Sequence, residues 1–184
     1  LGAEIIIEEG IVKAKLKGGM KTLYGTHIKL QCPSVGATET LIMAASLAKG
    51  RTVIQNAARE PEVHDLCQML NKMGAKIYGA GKEKIIIDGV NELHGCTHKV
   101  IPDRIEAGTF LIAAAATSSC ITIPPVISTH LEAVINKLRE AGSLITIRGN
   151  SLTIKGKTIK AVDIETAPFP GFPTDLQAPF TALM

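Results

Sequence analysis

The chain has 184 residues, of which 46% are apolar, 20% charged and 3% aromatic, with no Trp and a formal net charge of +3. That is enough apolar material for one large domain or two small ones built on an aliphatic core. Sparse aromatics and basic residues that form no block argue against a nucleic-acid surface. The longest apolar run, Phe110 to Ala116, is far too short to cross a bilayer.

In chain order the first element is a hairpin, with Glu4–Ile7 and Ile11–Lys15 flanking Gly10. Pro33-Ser34-Val35-Gly36-Ala37-Thr38 then leads into Leu41-Ile42-Met43-Ala44-Ala45, an Ala-rich run apolar nearly all round, which predicts a buried helix. Arg59-Glu60, read as a solvated or interdomain pair, precedes Pro61, which suits a first helical position. Val63, Leu66, Met69, Leu70 and Met73 follow at helical spacing, and Gly74 supplies the cap that ends this amphipathic helix. A second hairpin is predicted from Lys76–Tyr78 and Lys84–Ile87. Pro102-Asp103-Arg104-Ile105-Glu106 opens a second buried helix through Phe110-Leu111-Ile112. Thr129 and Glu132 have capping-box spacing before the stripe Leu131, Val134, Ile135 and Leu138, which Gly142 closes. A third hairpin spans Leu144–Ile147 and Leu152–Ile154. Pro173-Thr174-Asp175-Leu176-Gln177 then starts a third apolar helix. Asp103 with Glu106 and Thr174 with Gln177 also have box spacing.

These elements repeat. Leu1-Gly2-Ala3, Met73-Gly74-Ala75 and Ala141-Gly142-Ser143 are alike, and the spacing of about 70 residues marks a fold-sized unit rather than a short solenoid. The unit reads strand, buried helix, strand, amphipathic helix, hairpin, or βαβαββ, so the fold class is α/β. One copy is whole from about His27 to Val90, and a second runs from about His98 to Ile154. The end of one copy precedes them and the start of another follows, so the chain is expected to be a piece of a longer protein.

Chemistry points to three equivalent corners where a strand turns into a helix, at Ser34, Asp103 and Thr174-Asp175. A helix start offers free N–H groups that favour anions, although plain capping selects the same residue types. The small residues after Ser34 would let a ligand approach the backbone. Thr174-Asp175 carries one polar group more than a cap needs, which makes Asp175 the acid/base candidate. Helix-start and burial effects act on such a carboxylate in opposite senses. Arg104 and Glu106 read as an ion pair, with each other or with neighbours. The five histidines have no ligand spacing, and His64 and His130 read as surface residues at helix starts. Cys32, Cys67, Cys96 and Cys120 lack metal-ligand or redox spacing and read as reduced thiols. No metal and no cofactor are expected.

The strings Pro33–Thr38, Asn56-Ala57-Ala58-Arg59-Glu60-Pro61-Glu62, Pro102–Phe110 and Phe172-Pro173-Thr174-Asp175-Leu176-Gln177-Ala178 resemble the UDP-N-acetylglucosamine enolpyruvyl transferases over essentially the whole chain. The resemblance implies two domains, each an inside-out α/β barrel of three repeats with helices buried and sheets outside. Residues 1–100 would be the C-terminal part of one domain and 101–184 the first part of the other. It implies transfer of the enolpyruvyl group of phosphoenolpyruvate to the 3-hydroxyl of UDP-N-acetylglucosamine, with phosphate released. This is the first committed step of peptidoglycan precursor synthesis, in the bacterial cytoplasm or alternatively a plastid. By the same resemblance Asp175 handles the hydroxyl proton, Thr174 contacts the sugar nucleotide, and Ser34, Val35 and Gly36 contact its nucleotide part. Asp103 and Arg104 would support the site. Cys32 stands where many members carry Lys. The family's reactive cysteine and several substrate-holding Lys and Arg residues fall outside this chain, so the piece alone is expected not to turn over.

Overall fold

The computed structural model describes residues 1–19 and 21–184 and divides the chain into two compact units, Leu1–Val100 and Ile101–Met184. The first unit opens with the hairpin β1 (Ala3–Glu8) and β2 (Ile11–Leu16), paired from Ala3↔Leu16 to Glu8↔Ile11. Its two-residue turn places Glu9 at φ 50 and Gly10 at φ 79. Positive φ at both central residues is the type I′ geometry that suits the right-handed twist of paired strands.

A four-stranded sheet follows in the order β3-β4-β6-β5. Strand β3 (His27–Lys29) runs parallel to β4 (Arg51–Gln55), and the helix α1 (Val35–Ser46) supplies the crossover. Strands β6 (Lys84–Asp88) and β5 (Lys76–Tyr78) continue antiparallel after α2 (Pro61–Lys72). Ile54, Ile85 and Ile87 alternate onto the covered face of the sheet, where they meet Ile42 of α1 and Val63 and Cys67 of α2. At the sheet's end Arg51 grips Asp88, its direct partner in register, through Nε–Oδ1 and Nη2–Oδ2 contacts of 2.6 and 2.8 Å. The Arg51 guanidinium bonded to Asp88 holds that carboxyl below its ordinary range.

The second unit contains α3 (Arg104–Ala116), β7 (Cys120–Ile123), α4 (Glu132–Glu140), β8 (Leu144–Arg148), β9 (Ser151–Lys155) and α5 (Gln177–Leu183). Its sheet has the order β7-β9-β8, antiparallel throughout. That is the β4-β6-β5 arrangement over again, which is the repeat in structural form. Leu111, Leu138, Leu152, Ile154, Leu176 and Phe180, each 0% exposed, form its core.

The repeated Gly has one physical reason. Gly74 and Gly142 stand at φ +100 and +108, and each ends its helix in the same double bond pattern. Gly74 N and Ala75 N donate to Asn71 O and Leu70 O, and Gly142 N and Ser143 N donate to Arg139 O and Leu138 O. This is the left-handed helix stop that a residue without Cβ makes at no steric cost.

Several expectations need correction. No strand precedes α3: residues 89–103 are irregular, because His98 there is tied to α2 instead of to a sheet. The box at Thr129 and Glu132 does not form, since a 3-10 turn (Ser128–Leu131) runs into α4, whose start has no side-chain cap. Thr174 likewise makes no cap; it begins a 3-10 turn (Thr174–Leu176) that leads into α5. The apolar helices α1 and α3 are covered on one side only: Met43 is 50% and Phe110 54% exposed. A single helix layer on one sheet face cannot enclose a helix that is apolar all round. In the α2 stripe Met69 is exposed, and Asp65 and Cys67 take the inward positions.

Candidate functional site

The Ser34 corner lies in the first unit. Ser34 is the N-cap of α1 and its Oγ accepts from Ala37 N at 3.3 Å. Ser34 and Val35 are half-buried and Gly36 is exposed. A Cβ built on Gly36 would meet nothing within 4 Å, so the backbone of the first helical turn is open to approach. Thr38, one turn on, is fully buried and its Oγ1 accepts from Ala58 N at 3.0 Å, which fastens α1 to the 56–60 segment. Asn56 sits there at φ 57, a region Asn tolerates, and its Nδ2 donates to Leu30 O. Glu60 is buried, so of the two readings of Arg59-Glu60 the solvated one does not hold for Glu60. Sequence reasoning missed Glu39 on α1, whose carboxyl burial pushes up, with Glu62 and then Glu60 adding negative charge nearby. Its only sequence signal was its place one turn beyond the cap.

The other two corners lie in the second unit. Asp103 caps α3, its Oδ1 accepting from Ile105 N at 2.7 Å and Glu106 N at 3.0 Å. Both contacts satisfy helix-start donors, so Asp103 is engaged as a cap. The Arg104 guanidinium lies 5.7 Å from the centre of the Phe169 ring. His130 also meets Phe169, edge-on with centroids 6.5 Å apart, and it is half-buried rather than a surface residue. His64 is exposed.

Thr174 and Asp175 are exposed, while Pro173 before them and Leu176 after them are buried. Leu176 fills the space beside Gly108 of α3, where an added Cβ would come within 2.4 Å of Leu176 Cδ1. That contact brings the Asp103 helix and the Thr174-Asp175 turn together. A groove of about 510 Å³ opens along Thr174, Gln177, Ala178, Thr181 and Ala182. The arrangement presents an exposed carboxylate and an exposed hydroxyl on a short turn whose flanking residues Pro173 and Leu176 are buried.

The four cysteines are free thiols. Cys67 is buried, and burial pushes its thiol up to about 11, so it is a neutral core residue. Cys32, two residues before Ser34, is exposed. Among the described residues no three His, Cys, Asp or Glu side chains converge as a metal ion would require. No helix among them is long and apolar enough to cross a membrane.

Several known proteins are similar to this chain. UDP-N-acetylglucosamine 1-carboxyvinyltransferase of Prochlorococcus marinus (strain AS9601) is 83% identical over 184 residues, which are all of this chain and 40% of that protein. The protein of the same name from Synechococcus sp. (strain CC9605) is 58% identical over 185 residues, covering 43% of its length. The chain thus spans about two fifths of the relatives it matches. Among solved structures, the enolpyruvyl transferase NikO from Streptomyces tendae superposes with a TM-score of 0.76 at 22% identity, over 99% of this chain and 46% of that one. EPSP synthase from Acinetobacter baumannii gives 0.55 at 22% identity, over 98% and 41%. At such identities these two speak for the fold alone. The family model described as EPSP synthase (3-phosphoshikimate 1-carboxyvinyltransferase) matches residues 1–184, and the chain belongs to that family.

Proposed function

We propose that the full-length protein transfers the enolpyruvyl group of phosphoenolpyruvate to the 3-hydroxyl of UDP-N-acetylglucosamine and releases phosphate. The observation that carries this reading is the 83% identity, across every residue of the chain, to a protein named for that carboxyvinyl transfer. The family model's name suggests 3-phosphoshikimate as acceptor instead, but a likeness of 83% bears more closely on substrate choice than a family-wide description does.

In the proposed reaction the sugar oxygen bonds to C2 of phosphoenolpyruvate while a proton adds to C3. Loss of the C3 proton and cleavage of the C2–O bond to phosphate then restore the double bond. Asp175 takes the proton that leaves the 3-hydroxyl, and Thr174 beside it contacts the sugar nucleotide. Ser34, Val35 and Gly36 receive the nucleotide part. The open backbone at Gly36 and the partial positive charge of the α1 start favour an anionic diphosphate there. Asp103 and Arg104 support the site from α3. Both domains, inside-out α/β barrels, need the remainder of the protein's own chain. The reaction belongs to peptidoglycan precursor synthesis, hence to cell-wall biogenesis, cell shape and division, and is placed in the bacterial cytoplasm. No cofactor enters.

Phosphate release by the full-length protein, given both substrates, tests this directly. Asp175→Asn should lower kcat by about 100-fold or more, the usual contribution of a positioned base. Unchanged turnover in that variant would remove Asp175 from the mechanism. Turnover with shikimate 3-phosphate but not with UDP-N-acetylglucosamine would reassign the acceptor. Binding of the sugar nucleotide without phosphate release would make the protein a non-catalytic relative. Residues 1–184 alone should release no phosphate.

A further inference from the structure

Residues 156–172 form no helix and no strand beyond one bridge between Thr166 and Phe172, yet they deliver the turn that carries Asp175. The segment is fastened at three levels. At its neck Ala167 N donates to Phe172 O at 3.0 Å and Gly171 N to Pro168 O at 2.8 Å. A Cβ on Gly171 would come within 2.6 Å of Ala167 Cβ, so this crossing is too close for a side chain there. At its base Phe172, 4% exposed, packs edge-on against Phe180 with centroids 5.4 Å apart. At its tip Phe169 stands between two other elements. The Arg104 guanidinium is 5.7 Å from the ring centre, and His130 approaches edge-on at an interplanar angle of 85°. Both distances fall where cation–π and aromatic edge contacts are attractive.

The two grips come from fixed points. Arg104 is the first residue of α3, directly after the capping Asp103, and His130 lies in the 3-10 turn that enters α4. Phe169 itself is only half-buried. Phe172 and Leu176 already seat the chain on the core, so Phe169 adds little to core burial. What it adds is a third fixed point, which sets the direction from which the chain enters Pro173 and the turn beyond.

We propose that Arg104 and His130 clamp Phe169 to hold the turn presenting Asp175, which makes Arg104 and Phe169 positioning residues for the proton transfer at that carboxylate. The inference rests on the reaction proposed above. A carboxylate displaced by a fraction of an ångström loses its line to the hydroxyl, although substrate binding elsewhere is untouched.

Steady-state kinetics of the full-length protein with phosphoenolpyruvate and UDP-N-acetylglucosamine test it. Phe169→Leu removes the ring face but keeps apolar bulk, and Arg104→Gln removes the cation. Each should lower kcat about tenfold and leave both KM values within about twofold. Phe169→Tyr and Arg104→Lys, which keep the ring and the charge, should recover most of the rate. In an Asp175→Asn background Phe169→Leu should change the residual rate no further. A merely structural residue would shift the melting temperature without this kcat-against-KM split and without the rescues. If Phe169→Leu does not fold, Arg104→Gln, which opens no core cavity, decides the matter. Full kcat in Phe169→Leu or Arg104→Gln, beside a loss in Asp175→Asn, overturns the clamp and spares the reaction. Equal losses in both backgrounds also overturn it. No loss in Asp175→Asn overturns both.

Discussion

Replacing His98 by Ala would strip the partner from a carboxylate that the first unit has taken almost out of water. His98 Nε2 lies 2.9 Å from Asp65 Oδ1, and the two side chains are 4% and 11% exposed. Lys72 Nζ lies 3.2 Å from His98 Nδ1. An ammonium can only donate, so Nδ1 accepts and the Nε2 proton goes to Asp65. Removing the donor leaves a nearly buried carboxylate without its hydrogen bond, which costs about 1.5–3 kcal/mol. Asp65 keeps some contact with water and Lys72 can swing toward it, which puts the expected loss at the lower end, about 1.5 kcal/mol. Native-state amide exchange of the full-length protein reads this locally: protection across residues 89–100 and α2 should fall about tenfold. Changing His98 and Asp65 together to Leu removes the charge along with its partner and should recover most of the loss. A loss below about 0.5 kcal/mol in His98→Ala, the size of an ordinary surface change, would refute the reasoning. So would a double variant as unprotected as the single one.

Other outcomes follow from packing and protonation. Leu138→Ala empties a fully buried position of the second core and should cost about 2–5 kcal/mol in chemical denaturation. A Cβ on Gly89 would come within 1.6 Å of the Ala48 carbonyl oxygen, so Gly89→Ala must move main chain and should destabilise by at least about 2 kcal/mol. Gly36→Ala, by contrast, meets open space and should hold stability within about 0.5 kcal/mol while raising KM for the sugar nucleotide. The Cys67 thiol, ordinarily near 9.0, stands at about 11 in the folded chain. Between those values the unfolded state loses its proton first, so this group's contribution to stability falls as pH rises through that window and is flat below it. Urea midpoints of the parent and of Cys67→Ala should therefore converge from pH 9 to pH 11, measured on the same buffer series. At neutral pH a thiol reagent should label Cys32 and Cys120, both exposed, well before Cys67.

Elements governed by neighbouring residues were legible before any coordinates. Glu9-Gly10 makes its turn from local backbone preference, and Pro61 and Gly74 start and stop α2 through donors and carbonyls within a few residues. The caps at Ser34 and Asp103 are local in the same way. Thr129 and Thr174 have equally good cap chemistry, yet each winds into a 3-10 turn, because Leu131 and Leu176 must reach the core just beyond. Asp65 lies outside the apolar stripe read for α2; its inward place goes with His98, thirty-three residues along. The strand expected before α3 gave way to that same contact.

The sequence alone determined the α/β class, the repeating unit, the position of most helices and hairpins, and the corners worth inspecting, since periodicity and turn chemistry act over a few residues. Only the tertiary structure decided which of those corners presents an exposed group and which is consumed by capping. It also decided that Arg104 and His130 meet on Phe169, and that one face of each apolar helix stays uncovered within its unit. Those outcomes depend on side chains brought together from distant parts of the chain, and such encounters leave no periodic trace along it.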